Sequence, residues 1–365
     1  MIVESLFLKN FRNIEELEAD LCPEVNIIYG KNAQGKTNIV EALWLFTGYK
    51  SFRSSRDCEL IMFGKESAKI RADFKTNSRN VTCEIAISDK RKCSKNSILL
   101  QSPSALTGEY PATLFSPSHL YLIKGGPAER RRFLDIAICQ LSPGYAHALK
   151  KYKMALTQRN ILLKDIQYHS ELYDTLEMWE AQLALFGAKI VLKRLKYVDL
   201  LKSLTQEIYD GICGGKESLS IMYLMGSLHE KSRSEQEIKE ELTEKLKQTR
   251  KEDILIKNTS VGPHRDDLIV YINGKSARSY GSQGQQRSAA LALKLGEAQV
   301  IREIIGENPI VLLDDVMSEL DYKRQDYVLN KIKGYQVVIT SCEPPQSKRL
   351  TCAKMFQISD GRVVS

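Results

Sequence analysis

No stretch of the sequence approaches the ~18 consecutive apolar residues that a bilayer-crossing helix needs. The start does not read as a secretion signal either. Charge falls at Glu4, Lys9, Arg12, Glu15, Glu16, Glu18 and Asp20, so no uninterrupted apolar stretch forms. The expectation is a cytoplasmic protein with no membrane partner. Eight cysteines stand at 22, 58, 83, 93, 139, 213, 342 and 352, but none forms C-x-x-C and no Cys/His cluster has zinc spacing. A zinc scaffold is thereby excluded and reduced, mostly structural thiols are expected. Internal repeats and low-complexity tracts are missing too. What is present is ordinary for a folded chain: 43% hydrophobic and 27% charged residues, enough for a large core. The length of 365 residues suggests two or three domains. A net charge of +8, from 53 basic and 45 acidic residues, hints at a polyanionic partner without deciding one.

The pattern along the chain is α/β at both ends and helical between. Ile2 to Leu8 and Ile14 to Leu21 read as two short strands, and Val25 to Tyr29 as a buried one. A helix follows, with Ile39, Ala42, Leu43 and Phe46 at helical spacing. Ala68 to Leu100 has period-two stretches that predict an antiparallel sheet. Residues 64–96 hold nine Lys/Arg against four Asp/Glu, the most basic block of the N-terminal third. From Pro127 to Arg250 the chain reads mostly as helix. Leu172, Leu176, Trp179, Leu183, Phe186 and Ile190 are spaced 4-3-4-3-4, and Tyr197, Leu200 and Leu204 keep the frame that Lys193 breaks. This predicts a helix ~50 Å long in a coiled-coil-like arm, weakened at Gly187 by ~1 kcal/mol. Its expected partner is the preceding helix, through Leu149, Tyr152, Leu156 and Leu163. After Thr259, strands at Leu268–Ile272, Pro309–Leu313, Gln336–Thr340 and Met355–Ile358 alternate with helices from Ser282 to about Ile305 and from Asp321 to Ile332. The expected domains are 1–126, 127–250 and 251–365, the first and last forming one α/β body.

Three elements carry chemistry. Gly30-x-x-x-x-Gly35-Lys36-Thr37 lies between a predicted strand and a predicted helix, the context a phosphate-binding loop requires. Its glycines let N–H groups curl around phosphate oxygens at a helix N-terminus. Lys36 would reach the outer phosphates, and the Thr37 hydroxyl would ligate Mg²⁺. Ile310-Val311-Leu312-Leu313-Asp314-Asp315 is an apolar strand delivering carboxylates, Asp314 to the metal and Asp315 to the attacking water. About 245 residues after Thr37, Ser282-Gln283-Gly284-Gln285 opens a helix with a capping-box pattern. A Ser-capped, glycine-containing helix start is an anion site, and here it is expected to serve the nucleotide of a partner protomer.

With Ser318-Glu319-Leu320-Asp321 following, these elements resemble the signature, Walker B and D-loop of ABC-type ATPase heads in the SMC-like group. More narrowly, the chain resembles the RecF family of bacterial recombination mediators. Leu8-x-Asn10-Phe11-Arg12-Asn13, Ser51-Phe52-Arg53, Leu114-Phe115-Ser116-Pro117, Gly126 to Asp135 and Gly262-Pro263-His264-Arg265-Asp266-Asp267 carry that likeness, which spans the chain to about residue 361. The resemblance implies an ABC-type P-loop head with an antiparallel β subdomain and an inserted helical arm. It implies ATP and Mg²⁺ as cofactors, an ATP-dependent homodimer, slow DNA-dependent ATP hydrolysis and binding to gapped DNA or single-strand/double-strand junctions. It also implies action with RecR and RecO to load RecA, in replication, recombinational repair and the SOS response, near the nucleoid. By motif, Gly30, Lys31, Asn32, Gln34, Gly35, Lys36, Thr37 and Asn38 would hold the nucleotide. Arg12 would lie near it, and Ser282, Gly284 and Gln285 would reach the opposing γ-phosphate.

The pattern departs from transporter-type heads in places. Asp315 stands where those use Glu, no Gln occurs in Leu114–Leu120, and Ser341-Cys342 replaces a His after the last parallel strand. A transporter subunit and a larger SMC relative are the alternatives, the first opposed by the helical insertion and the second by its shortness. Outside these motifs, His264 could be a base or a structural group. Arg130-Arg131-Arg132 could touch phosphates or form an exposed helix face. The basic block 64–96 is the preferred DNA surface.

Overall fold

A computed structural model describes the chain except residues 55, 77–78, 167, 227, 229–233, 344–352 and 365; Cys352 lies outside the described residues. Contacts divide the chain into two compact units, Met1–His119 with Leu291–Ser365, and Leu120–Ala290. These divisions differ from the expected 126/127 and 250/251. Of the strands expected after Thr259, Leu268–Ile272 clusters with the helical part, as does the Ser282 turn, and the later ones belong to the first unit.

The first unit opens with β1 (Ile2–Phe11), β2 (Ile14–Asp20), β3 (Val25–Tyr29), α1 (Lys36–Leu45), β4 (Ala68–Lys75), β5 (Asn80–Ile87), β6 (Arg91–Lys95), β7 (Ile98–Leu99) and β8 (Ala112–Phe115). The second holds α2 (Tyr121–Lys124), α3 (Pro127–Leu141), α4 (Pro143–Asp165), α5 (Thr175–Cys213), β9 (Leu219–Leu224), α6 (Glu235–Ile256), β10 (Asp267–Ile272), β11 (Lys275–Ser276), α7 (Ala277–Tyr280) and the start of α8 (Gln283–Ile305). The chain then returns to the first unit with β12 (Ile310–Leu313), α9 (Tyr322–Lys331), β13 (Val337–Ser341), β14 (Lys354–Ser359) and β15 (Arg362–Val363).

Two sheets make the first unit. One runs β2-β1-β4-β5-β6-β7 and its named pairings are all antiparallel. Its strands alternate buried and open residues, as half-solvated sheets do. The other runs β15-β14-β3-β13-β12-β8, parallel from β14 to β8. Its central strands are near-continuous apolar runs, and all four residues of β12 are buried, as strands covered on both faces require. Gln336 staples the sheets together. Its amide donates to the Val3 carbonyl at 2.7 Å and accepts from the Val3 N–H at 2.6 Å. Phe46, Phe74 and Tyr110 fill the space beside them, with centroids 5.2 and 4.0 Å apart.

In the second unit α5 runs for 39 residues, about 58 Å at 1.5 Å per residue, and packs on α4, α6 and β9. Its buried face is wider than a heptad stripe. Leu176, Leu183, Ile190 and Tyr197 are buried, whereas Trp179 and Phe186 are half-buried and Leu200 is exposed. From Gly187 onward Val191, Arg194, Val198, Leu201, Thr205 and Ile208 are buried as well, a second stripe one residue on from the expected frame, as a helix packed on several sides requires. On α4 the buried positions are Tyr145, Ala148, Tyr152, Ala155, Arg159 and Leu163, so Leu149 and Leu156 only flank the contact. Gly187 is a packing necessity: a Cβ there would stand 3.1 Å from Leu242 and 3.4 Å from both Pro263 and Tyr152.

Candidate nucleotide-binding site

The parallel sheet of the first unit brings the phosphate-loop residues and the carboxylates together. β3 ends at Tyr29 and the loop climbs through Gly30 to Gly35, the N-cap of α1. Gly30 and Gly35 have φ of 151° and 110°, and a Cβ on Gly30 would stand 2.3 Å from the Ile358 carbonyl oxygen, so both positions require glycine. No side chain caps α1. Its first N–H groups therefore point out of the helix with no side-chain acceptor. Lys36 is 4% exposed and donates to the Gly30 and Lys31 carbonyls at 2.6 and 2.9 Å.

Beside it, β12 delivers Asp314 as expected. The Thr37 hydroxyl donates to Asp314 Oδ1 at 2.9 Å, and the Thr340 hydroxyl on β13 donates to the same oxygen at 2.9 Å. Thr340 in turn accepts from the Asp315 N–H at 2.9 Å. Asp315 sits at φ 53°, a left-handed conformation that non-glycine residues hold only when their surroundings enforce it. Burial pushes the Asp314 carboxyl above its usual range and the Asp315 charge adds to this, while the hydrogen bonds from Thr37 and Thr340 and the Arg53 guanidinium oppose it. A cation placed there would relieve that strain. Thr37 and Asp314 supply two hard oxygens, and no group of three or more His, Cys, Asp or Glu among the described residues could hold a metal by itself. That donor set suits Mg²⁺, which takes one or two protein ligands and completes its shell with phosphate and water.

The β1–β2 turn forms the wall of the loop. Asn13 donates to the Ala33 carbonyl at 3.1 Å and accepts from Asn38 at 2.6 Å. Arg12 does not extend freely. It grips Glu41 of α1 through two bonds of 3.0 and 2.7 Å, and donates to the Glu59 carbonyl and the Ser54 hydroxyl. Glu41 is fully buried, accepts from Ser51 and lies 3.6 Å from Arg53, which also donates to Asn38 at 2.7 Å. Gln34 is tied to the Asp360-Gly361 turn, and Asn32 accepts from Cys342 at 3.0 Å. Sequence reasoning missed Asn13, Glu41, Arg53 and Thr340 as members. Only the Arg12-Asn13 and Ser51-Phe52-Arg53 stretches signalled any of them.

In the second unit the Ser282 turn forms the expected capping box: the Ser282 N–H donates to Gln285 Oε1 at 2.7 Å and the Gln285 N–H to Ser282 Oγ at 3.2 Å. Ser282 is exposed and Gly284 half-buried. The Gln285 amide is held by Glu217 at 2.7 Å, and Gln286 donates to the Ala277 carbonyl at 2.9 Å.

Other candidates change character. His264 is structural. Its Nδ1 accepts from the Tyr152 hydroxyl at 2.6 Å, its Nε2–H donates to the Thr259 carbonyl at 3.0 Å, and burial pulls its pKa down to about 4. The whole Gly262–Asp267 stretch is clasped. Arg194 holds the Pro263 carbonyl at 2.8 Å, Tyr223 donates to Asp266, and Arg130 binds Asp267 through bonds of 2.7 and 2.8 Å. Arg130 is therefore no phosphate ligand, and Arg131 donates to the Asp266 carbonyl; of the three arginines only Arg132 is exposed. The 64–96 block is largely neutralised. Lys69 pairs with Glu84, Arg91 with Asp57 and Lys95 with Glu109, while Arg71 and Lys75 lie 3.8 Å from Glu18 and Glu4.

A glycine loop feeding a helix, a strand-end aspartate bridged to its threonine and a capped glycine turn on a second unit define a P-loop ATPase head of the SMC-like class. The family described as RecF/RecN/SMC N terminal domain matches residues 2–362. The DNA replication and repair proteins RecF of Agathobacter rectalis and Lachnoclostridium phytofermentans are 41% and 42% identical, covering all of this chain and 99% of each relative. A solved recombination mediator RecF with ATPrS, of the RecFOR pathway, superposes with TM-score 0.92 at 36% identity, over 99% of this chain and 97% of that one. An Smc head from Pyrococcus furiosus shares the fold at TM-score 0.56 and 17% identity, over 99% of this chain and 94% of that one. The chain belongs to the RecF family. No helix among the described residues is long and apolar enough to cross a membrane.

Proposed function

We propose that this protein is an ATP-gated DNA-binding ATPase of replication and recombinational repair, closing as a dimer around two shared nucleotides. The observation that carries the reading is the junction of Thr37 and Asp314, with Lys36 folded onto the loop beside it and α1 left without a side-chain cap. Gly30, Lys31, Asn32, Gln34 and Gly35 would line the phosphates with backbone N–H groups, and Lys36 would exchange its two carbonyl acceptors for phosphate oxygens. Thr37 and Asp314 would hold Mg²⁺, which when bound neutralises phosphate charge. Asp315 would orient the attacking water. Arg12 and Asn38 would brace the loop from the β1–β2 turn. Ser282, Gly284 and Gln285 would meet the γ-phosphate bound by the partner protomer, opening their capping box to do so. ATP shifts the equilibrium toward the dimer only if its contacts favour that state differentially.

Family membership supports weak DNA-dependent hydrolysis, preference for gapped DNA or single-strand/double-strand junctions, and action with RecR and RecO to promote RecA loading in the cytoplasm, at the nucleoid. Two solved RecF structures, with ATPrS and with ATP, are described as belonging to the RecFOR pathway. Sedimentation velocity with and without ATP and Mg²⁺, then with gapped DNA, tests the reading. The expected result is a monomer that doubles in mass with nucleotide and co-sediments with DNA. A species that stays monomeric at saturating ATP overturns it.

A further inference from the structure

Unpaired positive charge gathers on α4 and α5. Lys150, Lys151 and Lys153 of α4 and Lys189, Lys193 and Lys196 of α5 are all exposed, and none pairs with an acid among the described residues. Acids are absent from the sequence around them: α4 has none before Asp165, and α5 has none between Glu180 and Asp199. The contrast with α6, in the same unit, is direct. There Lys245 stands one turn from Glu241 and pairs with it at 3.3 Å.

The two lysine groups adjoin across the helix pair, meeting at Lys150 and Lys189. His147 meets Phe186 with ring centroids 6.4 Å apart, Arg194 donates to the Tyr145 hydroxyl at 3.0 Å, and Gly187 faces Tyr152. The helices are therefore antiparallel neighbours, with residues 145–152 of one alongside 187–194 of the other. Lys189, Lys193 and Lys196 share one helix face at i, i+4 and i+7. Lys193 thus has a like charge one turn away on each side, a spacing that weakens a helix. Folding does not call for that arrangement; a polyanion does. The unit's buried guanidiniums, Arg130, Arg159 and Arg194, are bound to internal carboxylates. At these six positions what faces solvent is ammonium groups, which act as point charges on phosphates and do not fork onto base edges.

We infer that this shared α4–α5 lysine face binds the phosphate backbone of DNA without reading its sequence. The inference rests on the DNA-binding reading above and gives it a location, distinct from the neutralised 64–96 sheet. The test is fluorescence anisotropy of a labelled gapped duplex in ATP and Mg²⁺ across a salt series. Wild type is compared with Lys189→Gln/Lys193→Gln/Lys196→Gln, and with Lys65→Gln/Lys90→Gln/Lys92→Gln as the sheet control. The α5 variant is expected to bind about tenfold more weakly and to flatten the log affinity against log salt slope by about 2 to 3, one counterion per lost phosphate contact. The sheet control should change less than about twofold, and all three proteins should still dimerise with ATP. If the α5 variant fails to dimerise, Lys150→Gln/Lys151→Gln/Lys153→Gln takes its place with the same expectation. A dimerising variant with unchanged affinity and slope overturns the assignment while leaving DNA binding intact, whereas wild type that binds no DNA overturns the functional reading itself. Loss of binding to phosphatidylglycerol vesicles with DNA affinity unchanged would assign the face to a membrane surface and overturn the inference.

Discussion

Helices α1 and α8 both begin at glycine-containing turns with N–H groups to satisfy, yet they satisfy them differently. α1 starts from left-handed Gly35 with no side-chain cap, and its lysine is parked on the loop's own carbonyls. α8 starts from Ser282 and closes a complete capping box on itself. An uncapped start with a lysine folded onto its loop is a site that gains whenever an anion arrives. A self-capped start is stable alone and gives up its internal bonds only to a stronger acceptor, which suits contact with a nucleotide already held by another protomer. The first site is built for tight binding, the second for a conditional contact.

Lys36→Ala should break the contrast outright. Removing the buried ammonium of the loop should abolish ATP-driven dimerisation in light scattering; a variant that still doubles in mass would dissolve the distinction. Ser282→Arg should hit the other side. ATP binding by the isolated monomer should persist while dimer and turnover are lost, with local destabilisation of about 1 kcal/mol from the missing cap; loss of monomer binding would contradict the role assigned to α8. Asp315→Asn should slow hydrolysis by about 100-fold and leave the dimer trapped. Thr340→Val removes the hydroxyl that links Asp314 to the Asp315 N–H. Its kcat should fall about tenfold, the worth of a buried hydrogen bond, with KM for ATP little changed and Thr340→Ser restoring the rate. The smallest effect concerns the second unit's scaffold. His264 titrates near 4 when folded against an ordinary 6.5, so the unfolded chain takes the proton first. Its contribution is complete above pH 6.5 and fades as pH falls toward 4, by at most about 3 kcal/mol. Thermal unfolding of the full chain should show His264→Gln to be less sensitive across that window.

Contiguous motifs were legible because their chemistry is local: the glycine loop, the Asp314-Asp315 strand end and the Ser282 box each fit within eight residues. Thr340 was not, since a threonine closing an apolar strand looks ordinary until the sheet sets it beside Asp314. Glu41 was hidden in a helix whose other residues read as core. The strand patterns showed most of both sheets of the first unit, including the antiparallel one, but not the parallel sheet's edge strand Ala112–Phe115. The helical unit was harder. A single 3.5-residue stripe fitted the start of α5, but packing on three neighbours buries a second stripe one residue on, so Arg194 turns inward where Lys193 had looked like the break. Arg159 is fully buried on Asp253, Glu180 and Thr259, and no sequence pattern separates such an arginine from a solvated one. Ion pairs likewise neutralise Lys69, Arg71, Lys75, Arg91 and Lys95 of the 64–96 block, which charge counting alone had favoured.

A mixing assay tests composite sites most directly. Lys36→Ala supplies an intact Ser282 turn and Ser282→Arg supplies an intact phosphate loop, so a mixed dimer contains one complete site built from both chains. Each variant alone should turn over no ATP, and combining them at high concentration should restore hydrolysis, to about half the wild-type rate if the two sites act independently. A mixture as inactive as its components, with mixed dimers present, would show that the Ser282 turn and the phosphate loop do not meet across protomers.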